Sequence, residues 1–408
     1  MNILFVNHYA GSSTHGMEHR PYHLARQWVR QGHQVTVVAA SFSHLRTTAP
    51  AIGGRVTEEW IEGIRYLWLK TPEYHGNGIR RAVNMFAFEW QLQRHCGRLV
   101  RDCSPEIVIA SSPHPLIIFS CVRIARKAEA RLVFEVRDIW PLTLLELGGM
   151  SAWHPFVALM QAAENYGYRR ADRVVSLLPK ADEHMRRHGM AAGKFVYLPN
   201  GIDVAQWQAD ASPLPAEHAE VLKRLREEGR LLVGYAGAHG ISNALDVLLD
   251  AARLLEDRRL GFVLVGQGPE KDRLRARAEQ AGGGHVVFLP PVATAAIPAL
   301  LAAMDVLYLG WNRNPLYRFG ISPNKLFDYM MAAKPVVHAV EAGNDLVAES
   351  GCGISCPPDD PAAIAAAIRD LIGRPSGELE AMGRRGRQYV IRCHDYCILA
   401  RRFLKSLE

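Results

Sequence analysis

No apolar run in the 408 residues approaches the ~20 needed to span a bilayer. The N-terminal stretch "MNILFVNHYAG" carries no basic leader and reads at once as a buried strand. The chain is therefore expected in the cytoplasm, free or peripheral on the inner face of the cytoplasmic membrane. There is no D-x-D carboxylate pair, no HExxH and no Walker A signature, which argues against an obligatory bound metal and against a P-loop NTPase. Cysteine is sparse: seven thiols, an odd number for a disulfide framework. The pairs Cys352/Cys356 and Cys393/Cys397 have only His394 nearby, so they read as reduced, buried thiols rather than a zinc set. Low-complexity tracts and short repeats are absent. No basic and aromatic repeat or helix-turn-helix pattern supports a nucleic-acid partner, although the isoelectric point is near 9.1.

What is present is an ordinary globular composition, 49% hydrophobic and 22% charged, at a length that implies two domains. Charge is uneven. Residues 1–200 hold 24 Lys and Arg against 16 Asp and Glu, and the remainder 24 against 25, a net of +8 and −1. An anionic partner for the first half follows: a membrane surface, a phosphorylated acceptor or nucleic acid.

The first half alternates strand and helix: "NILFVN", a helix near His19–Gln31, "HQVTVVAA", "IRYLWLK", a helix near Ile79–Arg101, "PEIVIAS", another helix, and "RLVFEV". "RVVSLL" and "KFVYLPNGID" end that unit, and the polar stretch 206–230 reads as a linker. The pattern then restarts with "RLLVGYAGAHG", "GFVLVGQG", "HVVFLPP", "MDVLYLGW" and "KPVVHAV". The fold class expected is α/β, two tandem Rossmann-like doubly wound domains facing a central cleft. Their bounds are expected at 1–202 and 203–388, with a C-terminal helix 389–408 packing back on the first.

Open sheets of this kind bind ligands beyond the carboxyl ends of their strands. "GISPNKLFDYMMAAKPVV", residues 320–337, reads as a helix capped by Ser322, with Pro323 at its first position and Leu326, Met330 and Ala333 as an apolar stripe. After Asn324 its third residue should be Glu or Gln, closing a capping box. It is Lys325, a cation against the positive end of the helix dipole, with Asp328 one turn on. A nucleoside diphosphate makes that order intelligible, Lys325 meeting the phosphates and Asp328 the ribose hydroxyls. The alternative is a surface pair worth about 0.2–0.5 kcal/mol.

"GYAGAHGISNALD" places Gly237, His239 and Gly240 before a helix capped by Ser242 or Asn243, either a phosphate cradle or a plain glycine turn. "VGQGPEKDRL", with Gly266 and Gly268 but no third glycine, reads as a tight turn. In the first half, the loop "NHYAGSSTHGMEHRPYHLA" can bring Gly11 and Gly16 to a ligand; His19 and Arg20 either contribute there or, as is commonest for Arg at a helix start, Arg20 is simply solvated. His114 in "SSPHPLIIF" follows a strand, as a site residue or an inert loop residue. Arg137, Asp138 and Trp140 in "FEVRDIWP" suggest a buried ionisable pair, catalytic or structural. "YHGNGIRRAVNMFAFEWQLQRH" is either a contact with a lipid diphosphate at a membrane surface or an amphipathic core helix.

Through "NHYAGSSTHGMEHRPYHLARQW", "QGHQVTVVAAS", "FEVRDIWP", "LPNGID", "GYAGAHG", "FVLVGQGPEKDRL" and "GISPNKLFDYMMAAKPVV", the chain resembles the retaining GT-B glycosyltransferases of family 4. Within that family it looks most like the aminosugar transferases of the L-fucosamine transferase type. The resemblance implies transfer from a nucleotide diphosphate sugar, a UDP-sugar by likeness, without cofactor or metal, to a polyprenyl-diphosphate-linked saccharide. It places Asp328 at the second acid of the E-x7-E motif and the amides around Gly240 with Lys325 on the diphosphate. Gly16 corresponds to the glycine that approaches the donor, and Arg137 lies where many members carry a histidine. The departures are Gly320 at the first acid of E-x7-E, Asp for Glu at 328, and no Arg or Lys after the first strand of the second half. Arg318 or Arg313 then assists Lys325. The expected catalytic set is Lys325, Arg137, Asp138 and His114. A non-catalytic nucleotide-sugar-binding partner and a sugar-nucleotide epimerase of the same architecture are the rival readings.

Overall fold

In the computed structural model, which describes all residues except 17, 18, 77, 210, 211, 256, 258 and 281–284, the chain divides into two compact units. One comprises Met1–Asn200 and Tyr396–Glu408, the other Gly201–Asp395.

The first unit is built on strands β1 (Asn2–Asn7), β2 (Gln34–Ala40), β3 (Val56–Ile61), β4 (Ile64–Leu69), β5 (Ile107–Ser111), β6 (Arg131–Val136), β7 (Arg173–Ser176) and β8 (Phe195–Tyr197). Their order is β3-β4-β2-β1-β5-β6-β7-β8. All pairs are parallel except β3 with β4, a hairpin turned at Glu62 and Gly63, both at positive φ. β3 is not among the expected strands. Its run "VTEEWI" alternates weakly and its outer edge faces water, so it lacks the continuous apolar signature of its neighbours.

The second unit holds β9 (Leu231–Ala236), β10 (Leu260–Val265), β11 (Val286–Leu289), β12 (Val306–Gly310), β13 (Val336–Ala339) and β14 (Gly353–Ser355), in the order β11-β10-β9-β12-β13-β14, all parallel. Alternate residues feed opposite faces: Leu232, Val263 and Leu307 enter one core, Val233, Phe262 and Val306 the other. The stretch 206–230 is not a linker. Helices Val204–Ala209 and Ala216–Glu227 occupy most of it, and Leu222 and Leu225 join the second unit's core.

The C-terminal end is two helices rather than one. Ser376–Cys393 stays with the second unit, burying Met382 and Val390 in its cores. Tyr396–Lys405 returns to the first, where Tyr396, Leu399 and Phe403 share a core with Trp28, whose indole N–H donates to the Ala400 carbonyl at 3.0 Å.

In each unit the strand order reverses beside one strand, β1 between β2 and β5, and β9 between β10 and β12. A crevice opens outside the carboxyl ends at such a point. The loops after these strands carry most of the residues singled out above.

Candidate active site

In the second unit the helix Asn324–Met331 runs from beside the end of β9. Pro323 is extended and acts as its N-cap without a side-chain bond, so Ser322 is not the cap and Lys325 is the second helical residue, not the third. Just before the helix the chain is pinned to the loop after β13: Ile321 N–H donates to Asn344 Oδ1 at 2.7 Å, and Asn344 returns a bond to Ile321 O. Leu326, Phe327, Tyr329, Met330 and Met331 are all buried, which anchors the helix. Tyr329 bolts it to β9, its hydroxyl accepting from Ala236 N–H at 2.9 Å and donating to Ala236 O at 3.2 Å.

Lys325 passes over Gly237, where a Cβ would stand 2.5 Å from the lysine Cε. The positive φ of 155° favours glycine at 237, and a side chain there would displace the end of the lysine. The ammonium donates to Tyr235 Oη at 2.8 Å and Asn243 Oδ1 at 2.7 Å, and lies 4.8 Å from the Tyr235 ring centre. Both acceptors are neutral, and among the described residues no carboxylate pairs with Lys325. Burial holds its pKa down to about 8. Asn243 is therefore a positioning contact on a short 3-10 turn, Ile241–Asn243, and the expected helix begins only at Leu245.

His239 is fully buried, and neither ring nitrogen has a partner among the described residues. Burial, then the charges of Lys271 and Lys325, lower its pKa to about 4, so the ring is neutral. The loops after β9 and β10 are laced together: Gly237 N–H to Val265 O and His239 N–H to Gln267 O, each at 2.9 Å. Gly266 and Gly268 permit this, since a Cβ at either would run into the carbonyl of Gly237 or of His239. From the other side Asn312 Nδ2 donates to Ile241 O at 3.0 Å. Gly240 precedes the turn at φ −115°, which any residue adopts.

Asp328 does not join Lys325. Its Oδ1 accepts from Trp207 Nε1 at 3.3 Å, and burial raises its pKa to about 7 against the opposing effect of that bond. Arg318 is exposed and folded onto its own turn, donating to Pro315 O at 2.5 Å and lying 4.4 Å from the Phe319 ring centre. Gly320, at φ 105° and ψ 173°, occupies a region open essentially to glycine alone.

In the first unit His114 is buried at the β1/β5 switch point, with its Nε2 2.5 Å from His8 Nδ1, and His8 Nε2 lies 2.6 Å from Asn84 Oδ1. Asn84 Nδ2 donates to Thr71 Oγ1 and Pro72 O, so its Oδ1 faces the histidine as an acceptor. His8 then carries its proton on Nε2, and His114 donates from Nε2 to His8 Nδ1. His114 Nδ1 is left as a lone-pair acceptor with no partner among the described residues. Burial, then the charge of Arg81, lowers the His114 pKa to about 3, and burial followed by His114 lowers that of His8, so both rings are neutral.

Arg137 and Asp138 are not buried as expected: Arg137 is half-buried, its backbone N–H donating to Ser112 Oγ at 2.9 Å, and Asp138 is exposed. The buried pair at this strand end is Arg20 with Glu135, Nε to Oε1 at 3.0 Å. Arg20, for which solvent was one expectation, also donates to the carbonyls of Pro199 and Leu198, tying the segment after β8 to β6. Gly16 sits at φ +78° bridged to Ser12, where a Cβ would strike the Thr47 side chain. Sequence reasoning missed His8, Asn84, Tyr235, Trp207 and Glu135. The glutamate in the otherwise apolar "RLVFEV" was the readable signal, because a carboxylate in a buried strand needs a cation.

Two parallel-sheet α/β units, each with polar side chains gathered outside its switch point, give the GT-B fold. The chain matches a glycosyl transferase 4-like domain over residues 15–201 and a glycosyl transferases group 1 domain over residues 230–374, and it is a glycosyltransferase. WcaI of Escherichia coli K12, named for colanic acid biosynthesis, is 26% identical over 76% of this chain and 75% of its own. A 2-deoxystreptamine N-acetyl-D-glucosaminyltransferase of Streptomyces fradiae is 29% identical over 52% of this chain and 50% of its own. Among solved structures, the Anabaena HepE protein in complex with UDP aligns over 100% of this chain and 99% of its own, with a TM-score of 0.69 at 16% identity. WaaG, a glycosyltransferase involved in lipopolysaccharide biosynthesis, aligns over 98% of each chain with a TM-score of 0.66, also at 16% identity.

Proposed function

We propose that this glycosyltransferase moves an N-acetylated aminosugar from a UDP-sugar, with retained anomeric configuration, to a polyprenyl-diphosphate-linked saccharide during surface-polysaccharide assembly. The observation that carries the donor side is Lys325: a largely buried ammonium at a helix start, held by two neutral oxygens and lacking a carboxylate partner among the described residues. Such a cation lowers its energy by meeting an anion, and the helix dipole adds to the attraction. The names of WcaI and of the Streptomyces transferase support the polysaccharide and aminosugar parts of the reading, and the UDP complex of HepE supports the nucleotide.

In this reading the bond from the anomeric carbon to the diphosphate breaks through an oxocarbenium-like transition state. Negative charge grows on the leaving phosphate, where Lys325 and the amides around Gly240 stabilise it. The acceptor hydroxyl adds to the anomeric carbon from the same face and its proton passes to the departing diphosphate. Asp328 accepts from the ribose hydroxyls. His114, Arg137 and Asp138 are the candidates of the first unit for the acceptor side. The test is incubation with UDP-sugars and short lipid-linked acceptors, with mass analysis of the acceptor and NMR of the new anomeric centre. An elongated acceptor with the donor's configuration is expected. UDP binding without elongation from any donor would favour a non-catalytic partner, and an inverted centre would overturn the mechanism.

A further inference from the structure

The helix Ile79–Cys103 buries one face through Met85, Phe88, Leu92, Cys96 and Leu99. Another face holds Ile79, Val83, Phe86 and Trp90 in water at helical spacing, with Ile79 84% and Trp90 55% exposed. This stripe does not end with its helix. The Phe86 ring lies 6.3 Å from that of Phe156, on the helix Pro155–Arg170, where Leu159 is exposed one turn on. Trp153, just before that helix, is 94% exposed. A contiguous apolar surface carrying two tryptophans is unusual on a protein that ends at its own skin.

The surrounding charge says what covers it. Helices Ile79–Cys103, Ile118–Ala128 and Pro155–Arg170 pack side by side. Together they carry ten Lys and Arg against three acids, Glu89, Asp102 and Glu164. Glu164 is buried, Glu89 accepts from Ser120 Oγ with its pKa pushed up to about 7 by burial, and Asp102 is matched by Arg98. The basic excess of the first half is thus concentrated on the layer that exposes the aromatics. Arg94 lies over Trp90, 5.5 Å from its ring centre, and Arg170 over Tyr166 at the same distance. Aromatic side chains flanked by guanidinium groups suit the headgroup boundary of an anionic bilayer, where the rings enter the acyl edge and the cations stay with phosphates.

We propose that this aromatic and basic layer of the first unit is a docking surface for an anionic lipid bilayer. Contact is at the surface, because among the described residues no helix is long and apolar enough to cross a membrane. The inference rests on the lipid-borne acceptor proposed above, which such docking would bring to the enzyme.

The test is co-sedimentation of the full chain with phosphatidylglycerol vesicles and with phosphatidylcholine vesicles, at low and high salt. Binding to the first, weakened by salt and at least tenfold weaker in the Trp90→Ser/Trp153→Ser variant, is expected, together with quenching of tryptophan fluorescence by brominated lipid. Both residues are exposed, and an unchanged circular dichroism spectrum confirms the variant's fold. No binding to anionic vesicles at low salt overturns the proposal, as does binding that the variant leaves intact. Self-association that the variant abolishes, without lipid binding, would assign the surface to a second copy instead. Turnover on a detergent-soluble, short-chain acceptor separates the two proposals: the variant keeps it if only docking is lost, and its absence in the parent chain counts against the transferase reading alone.

Discussion

Lys325 carries its proton weakly for a lysine. With its pKa held to about 8 by burial, the ammonium of the free enzyme discharges as pH rises through that value. kcat/KM for the donor should therefore fall above about pH 8, while kcat holds to higher pH because a bound diphosphate restores the lysine's pKa. Lys325→Ala should lower turnover by roughly 10²-fold or more and remove this alkaline limb. A limb that survives the substitution belongs to another group. Asp328 gives the opposite sign. Its folded pKa, about 7, stands above the ordinary 3.8 because of burial, so the folded state loses stability as pH rises from 3.8 to 7 and the deficit is complete above 7. Asp328→Asn keeps an acceptor for Trp207 and should raise the melting temperature at pH 8, leave it unchanged below pH 4, and weaken donor binding. A lower melting temperature at pH 8 would refute the argument. Lys325 was legible in the sequence because its charge contradicts its helix position. His8 and Asn84 were not, since the partners that give them meaning lie 76 to 106 residues away.

The helix Asn324–Met331 shows what element boundaries conceal. Its apolar residues announced it, but its first residue is Asn324 and its cap Pro323, one position later than the Ser322–Pro323 pair suggested. At the other end Ala333 adopts φ 55°, the left-handed turn where glycine normally stands. Ala333→Gly should then stabilise the protein by about 1 kcal/mol, read from denaturant melts at constant slope. A loss would mean that the methyl's packing outweighs the backbone strain. Gly320 sets the reverse case. A glutamate there would restore the family's acid but force a side chain into a glycine-only backbone, so Gly320→Glu should destabilise the fold rather than improve donor binding. The edge strand β3 and the helices within 206–230 escaped notice for one reason: each buries only part of its surface, and polar outer residues mask the period.

At the scale of the molecule, the parallel sheets were legible because strands buried on both faces read as unbroken apolar runs; for the chain's end one helix, 389–408, was expected on the first unit, and its division into Ser376–Cys393 and Tyr396–Lys405 was not legible. The helix Tyr396–Lys405 is amphipathic, and its own residues do not say which core it fills. It fills the first. Phe403→Ala, beside Trp28 at 5.2 Å between ring centres, should cost about 3–5 kcal/mol. Calorimetry should show that loss in one unit's transition while UDP still raises the melting temperature of the other. A uniform shift of both would mean that the units unfold together.

That placement orders the birth of the protein. The half translated first is completed only after the other has been made, because the residues that cover Trp28 follow the whole second unit in the chain. A nascent chain cut short after Asp395 would hold all of its second unit and an unsealed first, so premature release yields a protein that chaperones and proteases can recognise by its bare indole.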